Sequence, residues 1–183
     1  MKRDWEYGIC RKLIDEETLQ KRIRELGEQI TNDYKNTDET LIVVGLLKGS
    51  LLFMADLIRE IKIPLTIDFM EISSYGDEFE TSREVRILKD LEGSIMGKNI
   101  LVVEDIIDSG LTLKKVLKML GGRGPKSVSL CTLLDKKERR QADIEVQYVG
   151  FEIPDEFVLG YGIDYKQEYR NIPYIAVMGE PVE

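Results

Sequence analysis

Residues 100–112, ILVVEDIIDSGLT, restrict the possible folds more than any other stretch of the chain. Ile100-Leu101-Val102-Val103 is an uninterrupted apolar run rich in β-branched residues, the pattern of a strand covered on both faces. Glu104 and Asp105 follow where such a strand should end, then two more apolar residues, then Asp108-Ser109-Gly110. Leu111-Thr112-Leu113 opens a helical pattern. A strand, a polar turn and a helix start thus follow one another directly. A helix start carries unpaired backbone N–H groups and the positive end of a dipole, and Gly110 would let the backbone approach an anion closely. Ser109 and Thr112 add hydroxyl donors. Three carboxylates beside an anion site make sense if they bind sugar hydroxyls, hold magnesium or accept a proton. Helix capping would explain one acidic residue there. It does not explain three.

The same grammar recurs along the chain. Leu19, Ile23, Leu26, Ile30 and Tyr34 repeat at helical spacing, with Asp15 as the expected N-cap and residues 32–40 as a polar loop. Residues 41–47 (LIVVGLL) form a second buried strand, Lys48-Gly49-Ser50 a turn, and residues 51–61 a helix for which Ser50 is the expected cap. Lys48 could be a solvated turn residue. Its place at a strand's C-terminal end favours a functional role, because open α/β sheets bind ligands along that edge. Residues 64–73 alternate apolar and polar, as a strand at or near a sheet edge would, and residues 85–88 return as strand. The polar stretch between them, opening at Ser74-Tyr75, fits a solvated hairpin tip or a lid that closes over a reacting centre, and we favour the lid. Residues 113–120 continue the helix that Gly121-Gly122 should end, residues 128–134 are another buried strand, and residues 144–151 suggest one more. GGRGPKS at 121–127 lacks the GxxxxGK[ST] spacing of a P-loop and reads as a turn. The run 136–140 reads as a solvated loop. Buried runs alternating with helices predict an α/β chain with a mostly parallel twisted sheet flanked by helices.

With 183 residues, 43% apolar and 33% charged, the chain can bury one sizeable core. A net charge of −8 argues against nucleic-acid backbones and acidic membrane surfaces, which require an excess of Lys and Arg. The chain contains no histidine, which excludes histidine zinc sites, Ser-His and Cys-His nucleophiles and imidazole acid/base catalysis. Proton transfer falls to carboxylates, Lys, Tyr or Cys. Cys10 and Cys131 form no CxxC, and the start MKRDWEYG lacks the apolar segment of a signal peptide, so a reduced, cytoplasmic setting is expected. No stretch approaches the ~18 apolar residues of a membrane helix.

VVEDIIDSGLT closely resembles the phosphoribosyl-diphosphate (PRPP) binding motif of type I phosphoribosyltransferases, in particular that of the hypoxanthine-guanine phosphoribosyltransferases. The likeness spans about residues 5–178, with several separate motifs in order. Leu47-Lys48-Gly49-Ser50 resembles the pyrophosphate loop, with Ser50 where the commonest form has a second glycine; in that family the peptide between Lys48 and Gly49 can be cis. Ser74-Tyr75 resembles the mobile catalytic loop. Lys136 matches the purine-site lysine that donates to a 6-oxo group, and Phe157-Val158 the base-stacking aromatic and its neighbour. Asp164 matches a magnesium-linked aspartate at the purine site, and Arg170 a pyrophosphate-contacting arginine.

The resemblance implies one domain over residues 1–183, with a core of about 36–150 and a small hood from both chain ends, about 1–15 and 151–183. It implies transfer of ribose 5-phosphate from PRPP to hypoxanthine or guanine, giving IMP or GMP and pyrophosphate through an oxocarbenium-like transition state. On that basis Asp108, Ser109, Gly110, Leu111 and Thr112 anchor the 5-phosphate, although Leu111 stands where some relatives carry Lys. Glu104 and Asp105 engage the ribose hydroxyls, and with Asp164 hold magnesium, two ions during turnover. Lys48, Gly49 and Arg170 receive pyrophosphate, and Asp108 is the candidate general base. A 6-oxo base is favoured over adenine because Lys136 has donors only. The implied assembly is a homodimer or homotetramer, with no nucleic-acid or membrane partner. The rival readings are a PRPP-sensing regulator without turnover and a xanthine-preferring transferase.

Overall fold

A computed structural model describes residues 5–75 and 84–179 of the chain, and for 74, 75, 84 and 85 the backbone alone. In chain order it contains β1 (Ile9–Ile14), α1 (Glu16–Tyr34), β2 (Leu41–Leu47), α2 (Leu51–Glu60), β3 (Leu65–Tyr75), β4 (Glu84–Lys89), β5 (Asn99–Ile107), α3 (Leu111–Gly121), β6 (Ser127–Asp135), β7 (Tyr148–Glu152), β8 (Val158–Leu159) and β9 (Ile175–Met178). Six strands form one sheet in the order β4-β3-β2-β5-β6-β7, parallel throughout except for β4 on β3. β1, β9 and β8 form a separate antiparallel sheet, so the two chain ends build a small second layer together.

The apolar runs are continuous because both sheet faces are covered. Val43, Leu101, Val103, Cys131 and Leu133 pack on one face against Leu19, Ile23, Leu26 and Ile30 of α1 and Phe53, Met54 and Leu57 of α2. Val44, Leu46, Ile100, Val102 and Leu130 pack on the other against Leu113, Val116 and Leu120 of α3. Asp15 caps α1 as expected, its carboxylate accepting the Thr18 N–H at 2.8 Å.

Three expectations need correction. Ser50 sits at the start of α2 but makes no side-chain cap; its buried hydroxyl donates back to the Leu46 carbonyl at 2.6 Å. β5 does not stop at the acidic pair but runs on to Ile107, because Ile106 and Ile107 pair with Leu134 and Asp135 of β6. The last strand of the sheet begins at Tyr148 rather than 144; Ile144 and Val146 pack against the α3-side core from outside any strand.

β3 lies on one side of β2 and β5 on the other, so the connections reverse direction between β2 and β5. In open α/β sheets ligands bind in the crevice beyond the strands' C-terminal ends at such a switch point. Here those ends deliver Lys48-Gly49 from β2 and Asp108-Ser109-Gly110 from β5.

Candidate active site

The turn after β5 forms the floor of the site. Gly110 occupies the N-cap of α3 at φ +74°, a left-handed conformation that glycine adopts freely. The helix's own hydrogen bonding starts at Lys114 N to Gly110 O (2.9 Å), so no intrahelical bond uses the N–H groups of residues 111–113. A cavity of about 170 Å³ opens above this turn, lined by Glu104, Asp108, Ser109, Gly110 and Thr112 and walled by Leu46, Ile72, Ile106, Ile107 and Leu113. Leu111 is outside that lining and partly exposed; its N–H faces Ser109 Oγ at 3.5 Å. A polar floor with donors on a helix end can accept a phosphate-sized anion.

Glu104 and Asp105 stand behind the turn. Glu104 Oε2 is sealed from solvent with no hydrogen-bond partner, while Asp105 Oδ1 accepts its neighbour's N–H, from Ile106, at 2.9 Å. Burial pushes the Glu104 carboxyl well above its ordinary range, and the adjacent Asp105 charge adds to the rise. Burial raises Asp105 too, opposed by hydrogen bonding with Glu104 and the Ile106 N–H and by the Arg170 guanidinium. An orphaned buried carboxylate oxygen is costly unless something cationic or donating reaches it. Hard oxygen donors of this kind suit magnesium. Among the described residues no three acidic, histidine or cysteine side chains converge into a preformed cation cage. The fit therefore rests on Glu104 and Asp105.

The β2 turn meets this pair directly. A β-carbon at Gly49 would stand 1.7 Å from Asp105 Oδ2, so any larger residue there would have to displace that carboxylate. Lys48 is exposed, and the cis peptide lies at Leu47-Lys48 rather than at Lys48-Gly49. Gly162 packs on the Gly49 carbonyl from the C-terminal segment. Arg170 donates to Gly162 O at 2.7 Å and pairs with Asp164 Oδ1 at 2.7 Å. The other Asp164 oxygen accepts the Gln167 N–H at 2.8 Å. Asp164 is thus engaged at both oxygens.

Lys136 and Phe157 lie farther along the same edge. Lys136 follows β6, only 8% exposed, with its N–H on Ile107 O (2.9 Å) and Nζ 3.5 Å from Asp155 Oδ1. Phe157 is 54% exposed, a high value for a phenyl ring, and meets Tyr165 edge-on at 5.6 Å between ring centres. Val158 buries its side chain in β8 and offers only main chain. Ser74 and Tyr75 end β3, and the expected lid at residues 76–83 lies outside the described residues.

Several residues here had no sequence signal. Arg139, within the run read as a solvated loop, places Nε 2.8 Å from Asp108 Oδ1. Tyr161 donates its hydroxyl to Asp56 of α2, which also accepts Gln20 Nε2 at 2.9 Å, so the C-terminal segment is fastened to both helices of one face. Tyr161, Lys166, Gln167 and Tyr169 all have positive φ, 49–71°. Strained backbone in such density is retained where a site needs it.

A parallel sheet with an acid-flanked anion turn at its switch point defines a class of sugar-phosphate-handling enzymes, and the comparisons agree. The family model described as "Phosphoribosyl transferase domain" matches residues 12–166, and the chain belongs to that family of transferases. It is 57% identical over 164 residues to the hypoxanthine phosphoribosyltransferase of Salmonella typhimurium, covering 90% of this chain and 92% of that one. It is 50% identical over 172 residues to the hypoxanthine-guanine phosphoribosyltransferase of Bacillus subtilis, covering 94% of each. Among solved structures, it matches a hypoxanthine phosphoribosyltransferase from Staphylococcus aureus at a TM-score of 0.91 and 46% identity, with 100% of both chains covered. A hypoxanthine-guanine phosphoribosyltransferase from Bacillus anthracis matches at 0.88 and 52% identity, covering 93% of this chain and 99% of that one.

Proposed function

We propose that this chain moves the 5-phosphoribosyl group of PRPP to hypoxanthine or guanine, giving IMP or GMP and pyrophosphate, as a purine salvage enzyme. The observation that carries the reading is the cavity over the α3 start, where anion donors, Glu104 and Asp108 share one switch-point crevice, with Asp105 beside it against Gly49. Relatives named for hypoxanthine and guanine at half or more identity support the choice of base.

The N–H groups and hydroxyls of residues 108–112 bind the 5-phosphate. Glu104 and Asp105 orient the ribose hydroxyls, and their negative charge favours the cationic sugar of the transition state. As the bond from C1 to the pyrophosphate oxygen breaks and the bond to the purine nitrogen forms, that nitrogen's proton passes to Asp108. Lys48, the Gly49 main chain and Arg170 receive the departing pyrophosphate. Phe157 stacks on the base, while Lys136 and the Val158 main chain read its edge, with Asp164 beside them. Magnesium, two ions in the family's pattern, would be held by Glu104 and Asp105, with Asp164 joining them only by giving up its Arg170 and Gln167 contacts, and would supply charge neutralisation for the leaving group.

Ser74 and Tyr75 begin a lid that excludes water. The chain works as one unit, a core of about residues 36–150 under a hood from about 1–15 and 151–183, in homodimers or homotetramers. A cytoplasmic setting suits the two free cysteines, and no described helix is long and apolar enough to cross a membrane. The direct test is pyrophosphate release from PRPP on adding hypoxanthine, with magnesium and then with excess chelator. Release that chelation stops supports the reading; release that persists removes the metal from it.

A further inference from the structure

The segment after β6 is pinned to the turn that carries Asp108. Lys136 N donates to Ile107 O at 2.9 Å, and the N–H groups of Gln141 and Ala142 both donate to Ser109 O at 3.0 Å. Between these anchors a single 3-10 turn, Lys137–Arg139, suspends Arg139 over the site. Arg140 locks the far side, clasping fully buried Asp135 through two bonds of 2.9 and 2.7 Å. Ile153 N donates to Asp135 O at 3.0 Å, which fixes the approach to Asp155.

Within this frame four side chains alternate in charge. Arg139 Nε lies 2.8 Å from Asp108 Oδ1, and its Nη1 lies 3.2 Å from Asp155 Oδ2. The second Asp155 oxygen lies 3.5 Å from Lys136 Nζ. An isolated, half-exposed pair would contribute little. Here backbone hydrogen bonds on both sides fix the main chain from which Arg139 reaches, and its guanidinium bridges two carboxylates rather than one. Because Arg139 meets Oδ1, Oδ2 is the oxygen that remains to take a proton.

We propose that Arg139 and Asp155 are positioning residues for the transfer reaction, linking the Asp108 carboxylate and the Lys136 ammonium so that one is held toward a ring nitrogen and the other toward the 6-oxygen of a purine. The inference rests on the transferase reading above. The four charges sum to zero, so the chain links both groups without adding net charge to the crevice.

The test compares wild type with Arg139→Met, Arg139→Lys, Asp155→Asn and the Arg139→Met/Asp155→Asn double variant. Steady-state transfer to hypoxanthine and calorimetric PRPP binding are measured for each. Arg139→Met should lower kcat/KM for hypoxanthine about tenfold, a fraction of what a proton acceptor supplies. PRPP affinity should move less than about twofold, and Arg139→Lys should recover most of the loss. The double variant should be little worse than the poorer single one, because both act through one chain of contacts. Unchanged kinetics in both single variants, effects that multiply in the double, or equal damage to PRPP binding would overturn the proposal. A melting temperature well below wild type in Arg139→Met would overturn it too, by making the residue structural. A wild type that binds PRPP without turnover would instead overturn the transferase reading, and this inference with it.

Discussion

The α-carbon of Gly162 faces the carbonyl of Gly49 so closely that a β-carbon at 162 would stand 2.1 Å from the oxygen. Gly162 also holds φ at +102°, which side-chain-bearing residues avoid. Through this contact the C-terminal segment that carries Asp164 and Arg170 rests directly on the β2 turn. Gly162→Ala should therefore displace one against the other, at a cost of about 1–3 kcal/mol in stability. KM for PRPP should rise more than KM for hypoxanthine, since the pyrophosphate contacts proposed for Lys48, Gly49 and Arg170 straddle this junction. A variant with wild-type melting temperature and PRPP affinity would show that the contact is dispensable.

Asp108→Asn keeps the size of the side chain and removes the proposed proton acceptor. Transfer should slow by about 10²–10⁴-fold, the usual contribution of a positioned general base. PRPP binding, followed separately by calorimetry, should stay close to wild type because the proposed phosphate contacts are largely backbone ones. Unchanged turnover would remove Asp108 from this role.

Glu104 makes a prediction about stability rather than rate. Burial first, and then the Asp105 charge, raise its carboxyl above the range it has in the unfolded chain. The folded state thus favours the protonated form, so stability is lost as pH rises from the unfolded value through the folded one. At neutral pH, Glu104→Gln should stabilise the metal-free protein by about 1–3 kcal/mol, because the amide carries no charge to be buried beside Asp105. Melting curves should show that gain at pH 7.5 and its disappearance toward pH 4.5. A gain that does not change with pH would contradict the electrostatic origin.

The central strands could be read directly because they are covered on both faces, which leaves continuous runs at 41–47 and 100–103. The first helix was readable from its period, and its buried positions are those the spacing selects. The anion turn was readable because its donors, glycine and acids are contiguous. What escaped depends on tertiary contact. Ser50 looks like a cap, but its hydroxyl prefers a carbonyl one turn back in space. β5 looks finished at Glu104, but β6 continues to pair with it, and hydrogen bonding overrides polarity there. Arg139 belongs to a charge run that only a fold can bring over Asp108. The close approach at Gly162 joins positions more than a hundred residues apart. No local pattern encodes it.

The most direct measurement is product formation from PRPP and magnesium against hypoxanthine, guanine, xanthine and adenine in parallel. IMP or GMP should form with the first two, with no turnover of adenine, whose 6-amino group cannot accept from Lys136. Turnover of adenine in preference to the 6-oxopurines, or PRPP binding with no transfer to any base, would contradict the transferase reading.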